Sequence, residues 1–188
     1  MGAIESPTRI KLTIDQYDRI ADADVFPADA RLELINGEIY EMPPIGMLHA
    51  GTVDRLAQAL ILALGGRAIV GIQRPVQVPA YSQPQPDLVL LSPRDDFYTS
   101  RHPLPGDVLL VIEVADTSLQ FDRNVKGQLY ASHGLPEYWL IDAQARAIEV
   151  RRTPTADSYA ETSVLSDEAT VSPLAFPDCC WTVDALLG

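Results

Sequence analysis

The chain has 188 residues, enough for one domain with a sizeable core, and its 47% hydrophobic and 21% charged content is that of a folded globular protein rather than a disordered one. A formal net charge of −12 weighs against tight, sequence-independent nucleic-acid binding, which needs lysine and arginine to neutralise phosphate, although a local basic patch is compatible with it. The only cysteines, the neighbours Cys179 and Cys180, form neither a disulfide scaffold nor a spaced zinc set, which fits a reducing, cytoplasmic setting.

"MGAIESPTRIKLT" has no apolar signal segment, and the apolar run near 60–64 in "LAQALILALGG" is too short to span a bilayer, so no membrane association is expected. Thr13 followed by Gln16 predicts a capping box opening a short helix in "LTIDQYDRIAD". Two alternating runs around Asn36-Gly37, "RLELINGEIYEM", predict a hairpin. Val53, Leu56, Leu60 and Leu64 have helical spacing, and Gly65-Gly66 ends that helix. "RAIVGI" and "RPVQVPA" read as two strands, "PDLVLLS" as a short buried one, "RDDFYTSRHPLPG" as a loop and "DVLLVIEVA" as the longest apolar strand. "FDRNVKGQLYASHG" reads as a helix ending at Gly134, "EYWLID" and "AIEVRR" as strands, "SYAETSVL" and "ATVSPL" as later strands, and "VDALL" as a terminal helical turn. Helices flanking a mixed sheet make the class α/β, bordering on α+β, in one domain over 1–188.

The chemistry begins with an anomaly. Glu113 interrupts "DVLLVIEVAD", and a buried carboxylate costs several kcal/mol unless it is paired. It either escapes to water at the strand's end or faces a partner. Asp87 opens the second apolar strand, "PDLVLL", where it could equally be a turn residue after proline. Where neighbouring core strands end, two such acids could converge; they would repel unless a pKa rises or a cation sits between them. Oxygen ligands suit Mg²⁺ or Mn²⁺. Asp122, Lys126 and Tyr130 are four residues apart, on one helical face. That spacing fits an exposed Asp122–Lys126 pair, and it also fits an ammonium placed beside the carboxylates.

In their order, "PD" at 86–87, Glu113 in a core strand and a following lysine resemble the PD-(D/E)XK nuclease superfamily. The usual lysine position, two residues after the second acid, is Ala115 here, and the chain resembles a branch whose lysine has moved into the next helix. That branch is the Uma-two family of restriction-endonuclease-like bacterial proteins. The resemblance covers about residues 11–152, leaving 153–188 as a β-rich extension, and rests on "LELINGEIYEMPP", His49, "QPDLVLLS", "VIEVADTS", "DRNVKGQLYASHGLPEYWLID" and "IEVRR".

The resemblance implies a restriction-endonuclease-like fold and a metal-dependent endonuclease acting on nucleic acid, in the first place DNA, as a homodimer. Asp87, Glu113 and the Val114 backbone carbonyl would be metal ligands, and Lys126 would orient water or stabilise negative charge. Glu38 and His49 match positions typical of the family and would be helpers. Glu33 competes with Glu38, and the sequence does not separate them. A non-catalytic binding or regulatory module with a protein partner is the alternative, and the acidic surface suits it. For a nuclease, Arg74, Arg94, Arg101, Arg123 and Lys126 would have to gather as a positive mouth on a negative body.

Overall fold

The computed structural model describes residues 8–27 and 29–188. Helix α1 (Ile14–Asp22) opens on the expected capping box: the Thr13 hydroxyl accepts the Gln16 N–H at 3.3 Å, and the Gln16 side chain accepts the Thr13 N–H at 3.0 Å. Strands β1 (Leu32–Ile35) and β2 (Glu38–Glu41) form the hairpin. Asn36 and Gly37 both have positive φ (53° and 85°), as a two-residue turn of the primed type needs. Helix α2 (Met47–Leu64) ends where Gly65 adopts the left-handed conformation and its N–H returns to the Ile61 carbonyl.

The central sheet has six strands in the order β3 (Ile69–Ile72), β4 (Leu88–Leu91), β5 (Val108–Ala115), β6 (Glu137–Asp142), β7 (Ala147–Pro154) and β8 (Tyr159–Ser166). All neighbours are antiparallel except β5 and β6, which are parallel. A parallel pair needs a long crossover. Residues 116–136 supply it, through helix α3 (Leu119–Phe121), a π-helical turn (Asp122–Lys126) and helix α4 (Gly127–Ser132).

Over the central strands β4, β5 and β6 each face of the sheet is buried, so those strands are apolar on both sides. On one face α2 packs Val53, Leu56, Leu60 and Leu64 against Leu88, Leu110, Ile112 and Trp139. The C-terminal segment completes that layer through Val183 and Leu186 of helix α5 (Val183–Leu187), which lies on α2. On the other face Ile35, Val76, Val89, Val111, Tyr130 and Tyr138 belong to one cluster, bringing the hairpin and the crossover together. Among the described residues no helix is long and apolar enough to cross a membrane.

Three local readings are corrected. "RPVQVPA" is not a strand: Pro75 and Pro79 lack the N–H a ladder needs, and only an isolated Val78–Ser82 bridge forms. "ATVSPL" contributes only the two-residue β9 (Thr170–Val171), paired with β10 (Trp181–Thr182) and followed closely by Pro173. The helix after β5 is not regular. Its π turn spaces the backbone for side chains: Tyr138 Oη donates to the Asp122 carbonyl at 3.1 Å, and Arg151 Nη1 donates to the Arg123 carbonyl at 2.8 Å. At Gly127 beside it a Cβ would lie 2.5 Å from Arg151 Nη1, so a side chain there would have to displace the Arg151 guanidinium.

Candidate active site

The register of β4 on β5 explains why two acids meet. Leu88 pairs with Ile112, so one further rung would bring Asp87 opposite Glu113, on the same face of the sheet. Asp87 instead turns its carboxylate to the end of β5, where its Oδ2 accepts the Val114 N–H at 2.9 Å and bonds His49 Nε2 at 3.1 Å. In an extended strand a residue's N–H and C=O point to the same side, so the Val114 carbonyl faces the Asp87 side as well.

Glu113 is not at a hydrated strand end. It is buried, and its Oε1 accepts Lys126 Nζ at 3.0 Å and Tyr130 Oη at 2.6 Å. Lys126 also donates to Glu33 Oε1 at 3.1 Å, lies 3.0 Å from Glu33 Oε2 and is 3.9 Å from Asp122 Oδ1. The Asp122–Lys126 pair is therefore buried rather than exposed. Ser118 Oγ donates to Asp122 Oδ2. Three carboxylates, Glu33, Glu113 and Asp122, thus surround one ammonium, and Asp87 lines one cavity with Lys126.

The electrostatics follow from that imbalance. Burial pushes the Glu113 carboxyl well above the usual range; Lys126 opposes the shift, and Asp122, Asp87 and Glu33 add to it. Burial also raises the Asp122 carboxyl, against Lys126 and the Ser118 bond. For Lys126, burial works to lower the pKa, but Glu113, Glu33 and Asp122 outweigh it and leave the ammonium more firmly protonated than in water. The bond to Asp87 raises the His49 imidazole above its ordinary value, against the effect of burial.

A cavity of about 330 Å³ opens over this cluster, lined among others by Arg31, Glu33, His49, Asp87, Asp122 and Lys126. Glu113, bonded to Lys126, is not part of the lining. His49 Nδ1 is buried with no hydrogen-bond partner among the described residues.

The structure thus brings together Asp87, Glu113, Lys126 and His49 but leaves Glu38 outside. Glu38 is exposed, pairs with Arg9 at 2.7 Å and accepts the Tyr40 hydroxyl at 2.9 Å. Glu33 takes the inner place because β1, not β2, runs against the rest of the chain: Leu34 bridges Gln83, and Ile35 is fully buried. The sequence did carry a signal for Glu33, an acid inside the apolar run "LELI" as Glu113 is inside "VIEV". Arg31 was missed. Of the expected basic residues only Lys126 lines the cavity. Arg74, Arg94 and Arg101 surround the Tyr98 ring at 5.7, 5.1 and 5.4 Å, while Arg123 pairs with Glu149 at 2.9 Å.

No group of three or more His, Cys, Asp or Glu among the described residues is placed as a ready metal cage. The residues nonetheless fit a hard divalent cation in charge and donor type. The carboxylates outnumber the ammonium, and Asp87 Oδ1 receives no hydrogen bond from the described residues. Mg²⁺ commonly takes only one or two carboxylates, leaving further positions to water and phosphate.

The mixed sheet with helices on both faces makes a nuclease-like fold. A crystal structure of a "putative nuclease belonging to DUF820" from Anabaena variabilis matches it with a TM-score of 0.72 over 94% of this chain and 97% of that one, at 18% sequence identity. The chain belongs to the Uma-two family, described as "Putative restriction endonuclease", whose model matches residues 14–184. No curated protein matches the chain.

Proposed function

We propose that the protein is a metal-dependent endonuclease that hydrolyses phosphodiester bonds of nucleic acid, in the first place DNA. The observation that carries the reading is the buried Lys126 ammonium held between Glu33 and Glu113 at the floor of a cavity rimmed by Asp87. Asp87, Glu113 and the Val114 carbonyl would hold Mg²⁺ or Mn²⁺. Bound there, the cation would supply Lewis-acid chemistry, neutralising phosphate charge and lowering the pKa of a water.

The chain's own residues do the rest. Glu33 and Asp122 keep Lys126 charged and aimed at the cavity, where its remaining N–H capacity can meet a phosphate oxygen as charge builds on it. His49 fixes Asp87 Oδ2, which leaves Oδ1 free to bind. Glu38 has no part. Cutting both strands of a duplex would call for two copies related by a two-fold axis.

One observation favours a second reading, a non-catalytic module: Glu113 is engaged by Lys126 and Tyr130 and does not line the cavity. Thermal unfolding with Mg²⁺ or Mn²⁺, on wild type and Glu113→Gln, separates the two. With a Kd near 1 mM, metal at about 10 mM should add roughly 1.4 kcal/mol, a Tm rise of about 2–4 °C. A rise that disappears in Glu113→Gln, together with metal-dependent cleavage by wild type alone, supports the nuclease. No rise and no cleavage in wild type favours the binding module.

A further inference from the structure

In a chain this acidic, a guanidinium without a carboxylate is informative. Most arginines of the described residues are paired: Arg94 with Asp96, Arg101 with Asp107, Arg123 and Arg151 with Glu149, and Arg152 with Glu137. Among the described residues four are not: the exposed Arg19 and Arg55, which line neither the cavity over the acids nor its neighbours, and the partly exposed Arg31 and Arg74, which do. Arg31 Nη1 donates only to the Pro43 carbonyl at 2.8 Å. Arg74 Nη2 donates to the Phe97 and Tyr98 carbonyls at 2.8 and 3.2 Å. Both are partly exposed and keep further N–H groups for an anion.

These two arginines line neighbouring concavities linked by shared residues. The cavity over the acids shares Arg31, Ile45 and Gln85 with a neighbouring concavity that also contains Phe26 and Gln73. That second concavity shares Gln73 with a third, which contains Arg74, Tyr98 and Arg101. Gln73 is tied to the site: its N–H donates to the Asp87 carbonyl at 2.9 Å, and Gln85 Nε2 donates to the Gln73 carbonyl at 2.6 Å. Gln73 has φ of 45°, and this turn out of β3 sends Arg74 onto the outer rim. Between the arginines, Phe26 and Ile45 are exposed, and Asp24 is the acid on that stretch.

From this alternation we infer that the groove binds a single-stranded stretch of polynucleotide leading out of the site. Phosphates sit at Arg31 and Arg74, and an unpaired base lies on Phe26. Guanidinium forks suit phosphate, and an exposed aromatic face suits a base that is not stacked inside a duplex. The inference names the substrate form for the nuclease reading and rests on that reading for the role of the acids, but the groove itself does not depend on hydrolysis.

The test is fluorescence anisotropy of a labelled single-stranded 20-mer, and of the matching duplex, with protein in EDTA so that no cleavage occurs. Arg74→Gln should weaken single-strand binding about three- to tenfold and reduce the slope of log K against log salt by about 0.7. Phe26→Ala should weaken it about fivefold or more with little change in that slope. Arg55→Gln, an exposed arginine of α2 that lines none of these concavities, should bind as wild type does. Wild-type levels of binding in both Arg74→Gln and Phe26→Ala, tighter binding of the duplex than of the single strand, or no binding by wild type would each overturn the groove. Hydrolysis of bis(p-nitrophenyl) phosphate by wild type with Mn²⁺ tests the chemical centre alone. Cleavage of that small diester with wild-type binding in both Arg74→Gln and Phe26→Ala leaves the nuclease and removes the groove. The reverse result leaves the groove and removes the nuclease.

Discussion

Glu33 and Glu38 show how a single residue's role is decided. In the hairpin Glu33 pairs with Tyr40 and Ile35 with Glu38, so both glutamates lie on one face and alternation cannot tell them apart. The distinction is tertiary: the crossover helix lays Lys126 over β1. Glu33→Gln should therefore destabilise by about 1–3 kcal/mol, because a buried ammonium loses one of its anions. Glu38→Gln should change stability by no more than about 0.5 kcal/mol, as expected of an exposed pair. Urea denaturation of the two variants checks this.

The same scale governs pH. The Glu113 carboxyl and the His49 imidazole both have raised pKa values in the folded chain, so between their unfolded and folded values the native state holds more protons than the unfolded one. Stability then falls as pH rises through that interval, from near 4.5 upward for Glu113 and from near 6.5 upward for His49. In EDTA, wild type should melt at a higher temperature at pH 6 than at pH 8, and Glu113→Gln should flatten the difference. A Tm that rises with pH over this range would contradict the assignment.

At the scale of elements, the π turn Asp122–Lys126 is the part the sequence did not reveal. Its residues have ordinary helix-forming character, and the four-residue spacing of Asp122, Lys126 and Tyr130 reads as a plain α-helix. The extra residue in the turn is visible only through the donors that meet its carbonyls, Tyr138 and Arg151. Deleting the exposed Asn124 should close the turn to α geometry and rotate the flanking residues by about 100° relative to one another. Lys126 would then leave its carboxylates. Cleavage should fall about 100-fold or more, and far-UV circular dichroism should keep its helical signal. By contrast the hairpin, the α1 cap and the end of α2 were legible, because Asn-Gly, Thr-x-x-Gln and Gly-Gly act through local backbone geometry alone.

For the molecule as a whole, the sheet's two apolar faces were readable from "DVLLVIEVA" and "EYWLID", but the role of the C-terminal segment was not. Short strands and a five-residue helix carry little periodicity of their own. They matter because Glu137, fully buried, accepts Trp139 Nε1 at 3.0 Å, Arg152 Nε at 2.8 Å and the Leu174 N–H at 2.6 Å, tying the segment to β6 and β7. Glu137→Ala should cost about 3–5 kcal/mol by leaving these donors and the Arg152 charge unpaired. The Tm rise on adding metal should persist, because no residue of the cavity is touched. Loss of the metal response in a folded Glu137→Ala protein would show that the two ends of the sheet are coupled.

The parallel pairing of β5 with β6 also has a bearing on the order of assembly. Parallel strands joined by a long crossover come together late, since the loop must be closed before its contacts repay the lost entropy. Lys126 travels in that crossover, so Glu33, Asp87 and Glu113 can come together before their only ammonium arrives. At neutral pH this passage is uphill, by like-charge repulsion in a drying interior. Millimolar Mg²⁺ or mildly acidic buffer should then speed refolding, followed by the fluorescence of buried Trp139 in a stopped-flow mixer, and the excess of carboxylates behind the proposed cation site would also shape the route into it.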